Sequence, residues 1–152
     1  MTDAITFDST TARLQLPLLF AAQAQKEVFH NEALARIDGL LHAAVLGEAD
    51  QPPATSADGD SWIVGPAPSG AWAGQPGRVA MRQMGQWLFA DPVEGMRVFD
   101  RTARQFVVFS STWQKPAMVE EPSGGMNVDS EARAAIGALI SALRAAGVIS
   151  PS

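Results

Sequence analysis

From Leu18 to Asp38 the chain contains neither glycine nor proline, whereas both recur at short intervals from Pro52 to Gly95. The uninterrupted stretch is rich in Ala, Gln, Lys, Glu and Leu, which are good helix formers. Pro17, directly in front of it, suits the first turn of a helix. The sequence therefore predicts an N-terminal arm over residues 1–17 and a long helix, about Leu18 to Gly47, within an oligomerising segment of residues 18–49.

This predicted helix carries two neighbouring apolar stripes. One stripe is enough to pack a helix on its own domain, so a second stripe favours a contact with another subunit. The alternative is a helix buried within a monomer. Toward the N-terminus, polar residues continue one of these stripes. In an assembly around a symmetry axis, such polar side chains can hydrogen-bond to their copies in other subunits and fix how the helices are aligned. The predicted oligomer interface comprises Gln23, Glu27, His30, Asn31, Leu34, Ile37 and Leu41.

The middle segment, residues 50–118, is predicted to form a small β-domain. Turn signals such as Asp58-Gly59 and Met84-Gly85 separate short runs with strand-like composition. Six strands with tight connections favour a small antiparallel sheet or a barrel-like roll. The predicted strands are Ser61–Val64, Arg78–Gln83, Gln86–Ala90, Met96–Asp100, Gln105–Phe109 and Thr112–Lys115.

The last segment begins with a Gly/Pro linker, residues 119–128, and continues as a short C-terminal helix over residues 129–152. Asp129 is placed to cap the start of this helix, and Gly147 suits the left-handed position after its end. Ile136, Leu139 and Leu143 form its apolar seam, which packs either on the chain's own β-domain or on neighbours. The expected fold class is therefore α+β: long N-terminal helix, small β-sheet or roll, short C-terminal helix.

Composition argues against several function classes. The net charge of −5 disfavours binding to nucleic acid. Without cysteine there is no thiolate metal site and no thiol nucleophile. His30 and His42 lie too far apart on one helix to share a metal ion, and no catalytic residues or cofactor are predicted. No apolar run is long enough to insert in a membrane.

The four tryptophans fall in the β segment, and there is no tyrosine. Each ring either fills the core or lies exposed, where it can stack on the apolar face of a sugar. Trp72 lies in the loop that appears most flexible in the sequence, so it is the first candidate for an exposed sugar-stacking ring, with Trp62 as the second.

Several blocks of the chain together resemble a prophage family that is known only as a domain of unknown function. That family is common in alphaproteobacterial prophages and gene transfer agents. The resemblance covers about residues 14–114. Its blocks are Leu16–Lys26, His30–Leu34, Ile37-Asp38, Pro52-Pro53, Gly59–Gly65, Gly70–Gly74, Gly85–Phe89, Pro92, Glu94-Gly95 and Trp113. The C-terminal helix is similar to a helix found on phage tail and fibre proteins.

The resemblance implies a non-enzymatic structural or attachment component of a phage-like particle, either a head spike or the base of a tail fibre. We expect a homo-oligomer, a trimer first and a pentamer second. It would contact other particle proteins (capsid, portal, tail or fibre), and host surface polysaccharide remains an open partner. The chain would be made in the cytoplasm and incorporated into the particle. The alternatives are a stand-alone carbohydrate-binding module and, less favoured, a polysaccharide hydrolase.

Overall fold

A computed structural model describes residues 9–22, 25–126 and 129–150. By contacts the chain divides into two units, Met1–Pro92 and Val93–Ser152. The described part of the first unit contains one α-helix, five strands and a short 3-10 helix, and the described part of the second contains three strands and one α-helix. In chain order the elements are α1 (Lys26–Leu40), β1 (Ala44–Val45), β2 (Glu48–Ala49), β3 (Ser61–Val64), the 3-10 helix (Gly70–Trp72), β4 (Val79–Gln83), β5 (Gln86–Ala90), β6 (Arg97–Asp100), β7 (Gln105–Ser110), β8 (Thr112–Gln114) and α2 (Ser130–Ala145).

The expected fold class is wrong in its proportions, because the described chain is mostly β. The N-terminal helix spans 15 residues, Lys26–Leu40, instead of the long helix from Leu18 to Gly47. The last part of the predicted helix contains β1, and β2 completes the segment of residues 18–49. The sheet of the first unit is also not purely antiparallel, since β2 runs parallel to β3.

Tertiary contacts explain why α1 begins late. Residues 18–22 are not helical. The backbone of Leu19 is instead held by the Asn31 side chain, which accepts its N–H at 2.8 Å and donates to its carbonyl at 3.0 Å. Ala22 and Gln25 adopt left-handed φ values of 72° and 65°, which interrupt a right-handed helix. Helix propensities differ by only a few tenths of a kcal/mol among good formers, so about 1 kcal/mol per hydrogen bond outweighs them.

The first unit contains a sheet in the order β2-β3-β4-β5. Strands β4 and β5 form a hairpin whose two loop residues, Met84 and Gly85, both have positive φ, at 49° and 73°. A two-residue hairpin loop with this geometry matches the twist of the strands. Strand β3 is buried at every position, and Val79, Ala80 and Met81 of β4 are fully buried beside it.

In the second unit β6, β7 and β8 form consecutive antiparallel pairs. Helix α2 begins as the sequence predicts, because the Asp129 side chain accepts the N–H of Ala132 at 2.9 Å. It ends at Ala145, and Gly147 follows with φ of 68° while the N–H of Val148 donates to the carbonyl of Leu143. The predicted cap residues at both ends of this helix are therefore confirmed.

Candidate functional site

One side of helix α1 is fixed to its own unit. Ala35, Asp38 and Gly39 are its buried residues. Gly39 lies so close to β4 that a Cβ atom added there would overlap the sulfur of Met81. Arg36 extends from the helix to donate to the carbonyl of Phe89 at 2.9 Å. These contacts define the inner face of α1.

Asp38 is the centre of this attachment, and its side chain is fully buried. Its two carboxylate oxygens accept hydrogen bonds from the Thr11 hydroxyl (2.7 Å), the backbone N–H groups of Leu14 (2.6 Å) and Arg13 (3.1 Å), and the Gln83 amide (3.2 Å). Burial by itself would raise the pKa of Asp38. The four donors outweigh burial and hold the pKa below its ordinary value, so the carboxylate stays charged.

Arg13 closes the C-terminal end of α1. Its guanidinium donates to the carbonyl oxygens of Asp38 (2.7 Å), Gly39 (3.0 Å) and His42 (2.9 Å). The last carbonyls of a helix have no partner within the helix and carry partial negative charge, so a cation there is doubly favourable. Together, Asp38 and Arg13 join the arm over residues 9–18 to the end of the helix.

The opposite side of α1 is apolar and exposed. Phe29, Ala33 and Ile37 follow one another at four-residue spacing, which places them in one row on the helix surface. Leu41 continues the spacing just after the helix ends. The exposed fractions are 76% for Phe29, 49% for Ile37 and 50% for Leu41, which is high for residues this apolar. We call Phe29, Ala33, Ile37 and Leu41 the outer row.

The predicted interface residues divide between these two faces. Ile37 and Leu41 belong to the outer row, the exposed His30 lies beside it, and Leu34 is half-buried at its edge.

Asn31, which was predicted to belong to the polar register, bonds the backbone of Leu19 within its own chain. Glu27 accepts the N–H of Ala22 at 3.1 Å, and Gln23 lies outside the described residues. The polar residues therefore fasten the chain that precedes the helix instead of forming one seam.

Helix α2 shows a smaller exposed apolar area. Ile136 and Leu139 are 43% and 59% exposed, Leu143 is half-buried, and Ile140 is buried. The sequence allows this apolar seam to pack either on the chain itself or on neighbours. Within the described residues Ile140 has a buried environment, whereas Ile136 and Leu139 do not.

The tryptophan cluster is a core, which corrects the expectation of exposed sugar-stacking rings. Trp72 is fully buried and Trp62 is only 8% exposed. Their ring centroids lie 6.0 Å apart, and Trp87 packs edge-on against Trp62 and Trp72 at 5.6 and 5.1 Å. The 3-10 helix that ends at Trp72 converts the apparently flexible loop into an ordered turn directed at the core. Neither Trp62 nor Trp72 offers a ring face to a sugar.

A groove of about 360 Å³ runs between α1 and the β4–β5 hairpin. Its walls include Val28, Ala35, Met84 and Leu88, and Glu27 lies at its edge with a buried Oε2 atom that has no donor among the described residues. The groove is an apolar recess with an acidic edge, and it holds no nucleophile paired with a base.

The described residues contain no group of three or more His, Cys, Asp or Glu side chains placed to hold a metal ion. None of the helices in this part of the chain has the length and apolarity to cross a bilayer.

Sequence reasoning missed the structural role of Asp38, Arg13 and Thr11 in holding α1. One signal was available: Asp38 interrupts the apolar pattern between Ile37 and Gly39, where a helix that is buried on two sides would carry an apolar residue. A buried carboxylate needs several donors, and Thr11 and Arg13 belong to the segment in front of the helix.

Comparison with known families gives one match. A family model described as protein of unknown function (DUF2793) matches residues 30–114, which is more than half of the chain. The match includes α1 from residue 30 to its end and all strands from β1 to β8. No curated protein matches the chain.

Proposed function

This chain belongs to the DUF2793 family of proteins of unknown function, and we propose that it is a non-enzymatic structural component of a phage-like particle. It assembles as a homo-oligomer through the outer row of α1. In the particle it serves as a head spike or the base of a tail fibre, of a phage or a gene transfer agent. The particle context rests on the resemblance of the blocks between Leu16 and Trp113 to prophage proteins.

The observation that carries the proposal is the exposed apolar outer row on a helix whose other face is already fixed. Soluble monomers rarely keep a contiguous apolar surface of this kind. The inner face uses Asp38, Asn31 and Arg36 to hold the helix in one orientation. Because the inner face fixes the orientation of the helix, the outer row stays exposed on the surface and does not turn toward the rest of the unit.

A second copy of the same chain is the occupant that fits this row. The row itself contains no carboxylate. The exposed Lys26 and His30 lie along one edge of it, and the exposed Glu32 along the other edge is paired with Arg36 at 2.8 Å. Equivalent rows can therefore meet around a symmetry axis without facing acidic pairs. Closed symmetric assemblies are the common form of homo-oligomer, and a row that lies along the symmetry axis of a cyclic assembly meets the equivalent rows of the other copies.

The size of the effect follows from the exposed fractions. Full burial of a large apolar side chain contributes about 1.5–3 kcal/mol. Covering the exposed parts of Phe29, Ile37 and Leu41 therefore contributes about 4 kcal/mol per subunit. Association itself costs at least that much, so the outer row is the centre of a wider interface.

The test compares one substitution on each helix. Ile37→Glu places a carboxylate in the outer row, and Ile136→Glu places the same group on α2 at a similar exposed fraction, 49% against 43%. Burying an unpaired carboxylate costs several kcal/mol, so Ile37→Glu should give monomers in light scattering after size exclusion. Ile136→Glu should keep the mass of the unmodified protein.

Both variants should unfold at the temperature of a correctly folded chain, because neither site lies in the core. If Ile136→Glu dissociates the assembly and Ile37→Glu does not, then α2 carries the interface and our assignment to α1 is wrong. An assembly that survives both substitutions also contradicts the assignment.

A further inference from the structure

A cavity of about 420 Å³ lies within the second unit, at the end of α2. Two of its residues, Phe99 and Phe106, are cross-strand partners on β6 and β7, and their rings meet edge to face at 5.3 Å. The last residue of α2 and the two residues after it, residues 145–147, line another side. Gly147 keeps this side open, because a Cβ atom there would lie 3.1 Å from the Phe99 ring.

Two arginines line the same cavity. Arg104 is exposed, and within the part of the chain that the structure describes it has no carboxylate or carbonyl partner. Arg144 is anchored, because its guanidinium donates to the carbonyl of Val119 at 3.0 Å. Its Nε atom is buried and has no acceptor among the described residues. The exposed Glu121 carboxylate forms a long ion pair with Arg144 at 3.9 Å, beyond hydrogen-bond distance.

This arrangement is unusual in a chain of net charge −5. A cation near the end of a helix compensates the helix dipole, and that accounts for one arginine. It does not account for a second arginine, an aromatic floor with Phe106 36% exposed, and an open volume between them. Guanidinium groups match carboxylates in shape and charge, and aromatic rings pack against apolar surfaces.

We propose that this cavity binds a carboxylate-bearing sugar residue, with the carboxylate between Arg104 and Arg144 and the C–H face of the sugar ring on Phe106. The volume lies within the range of small-molecule sites and suits one or two sugar units. The inference rests on the proposed particle role and extends it to attachment, because acidic sugars are a chemistry that surface polysaccharides present. It moves the sugar contact from the buried tryptophans to the second unit.

Saturation-transfer NMR on the full chain tests this site with two matched probes. Methyl glucuronoside carries the carboxylate, and methyl glucoside is the same ring without it. We expect saturable transfer to the ring protons of the glucuronoside and none to the glucoside. Arg104→Gln should weaken binding by about tenfold or more, because a hydrogen bond to a charged group is lost.

The matched control is Arg101→Gln, an exposed arginine in the same β6–β7 turn that does not line the cavity. It should leave binding unchanged. Equal binding of the glucoside and the glucuronoside, equal loss in both arginine variants, or no saturable transfer would each overturn the proposal. Competition by acetate at the same affinity as the glucuronoside would overturn the sugar part of it. None of these outcomes depends on the oligomeric mass, so this site and the outer row of α1 are tested separately.

Discussion

Replacing Asp38 by asparagine tests how the N-terminal arm and α1 are held together. The side chain keeps its size but loses its charge and one of its two acceptor oxygens. In the native protein one oxygen accepts from Thr11 and Leu14, and the other from Arg13 and Gln83. Whichever of the two positions the NH₂ group of asparagine takes, it faces the backbone N–H of Leu14 or that of Arg13. A backbone N–H can only donate a hydrogen bond, so these two donors cannot pair.

The expected loss follows from these contacts. The Thr11 hydroxyl and the Gln83 amide can rotate to accept a hydrogen bond, but the N–H of Leu14 or Arg13 stays unpaired. A hydrogen bond to a charged group contributes about 1.5–3 kcal/mol, and the remaining bonds weaken when the charge is removed. We expect Asp38→Asn to lower the free energy of unfolding by about 3 kcal/mol, measured by urea titration at neutral pH.

Asp58→Asn is the matched control. Asp58 is exposed and accepts one hydrogen bond, from the N–H of Gly85 at 3.0 Å, which the remaining oxygen of asparagine can keep. Its effect should stay within about 0.5 kcal/mol. A loss below about 1 kcal/mol for Asp38→Asn would refute the central role that we give to this carboxylate.

The same variant has a signature in pH. The pKa of Asp38 is lowered in the folded protein, because the four hydrogen bonds outweigh the opposing effect of burial. A lowered pKa contributes stability above the unfolded pKa of about 3.9, and this contribution is lost as pH falls through the folded pKa. The difference in unfolding free energy between the native protein and Asp38→Asn should therefore shrink below about pH 4.

Two further substitutions test the packing of the first unit. Gly39→Ala should lower the free energy of unfolding by about 1–3 kcal/mol, because the added methyl group overlaps the sulfur of Met81. Thermal unfolding measures this loss, and an unchanged melting temperature would contradict the close packing. Met84→Asn should raise the free energy of unfolding by about 0.5–1 kcal/mol, because asparagine adopts the left-handed φ of 49° at this hairpin position more easily than methionine. A loss of stability would show that the contacts of the Met84 side chain stabilise the fold by more than its backbone strain destabilises it.

Much of the β-structure is predictable from the sequence, since it depends on local signals. The six predicted strands all appear in the structure, most within one residue of their expected bounds. Turn pairs such as Met84-Gly85 set these limits through backbone conformations that glycine adopts readily. The cap of α2 at Asp129 is local in the same way.

The start of α1 and the places of its polar residues were not predictable in this way. Asn31 bonds Leu19, 12 residues earlier, and Asp38 bonds Gln83, 45 residues later. Helical periodicity gives the angle between side chains around the helix, but it does not say which face of the helix packs against the rest of the chain. Trp72 was assigned to the wrong environment for a similar reason, because a 3-10 turn of three residues decides where its ring points. The outer row was predicted in part, through Ile37 and Leu41.

The mass of the unmodified chain in solution, measured by light scattering over a range of concentrations, tests the central claim most directly. We expect one species with a mass that is an integral multiple of the single chain, a trimer first and a pentamer second, that persists on dilution. A monomer at all concentrations up to tens of micromolar would show that the outer row of α1 does not bind a second copy, and it would contradict the proposed assembly.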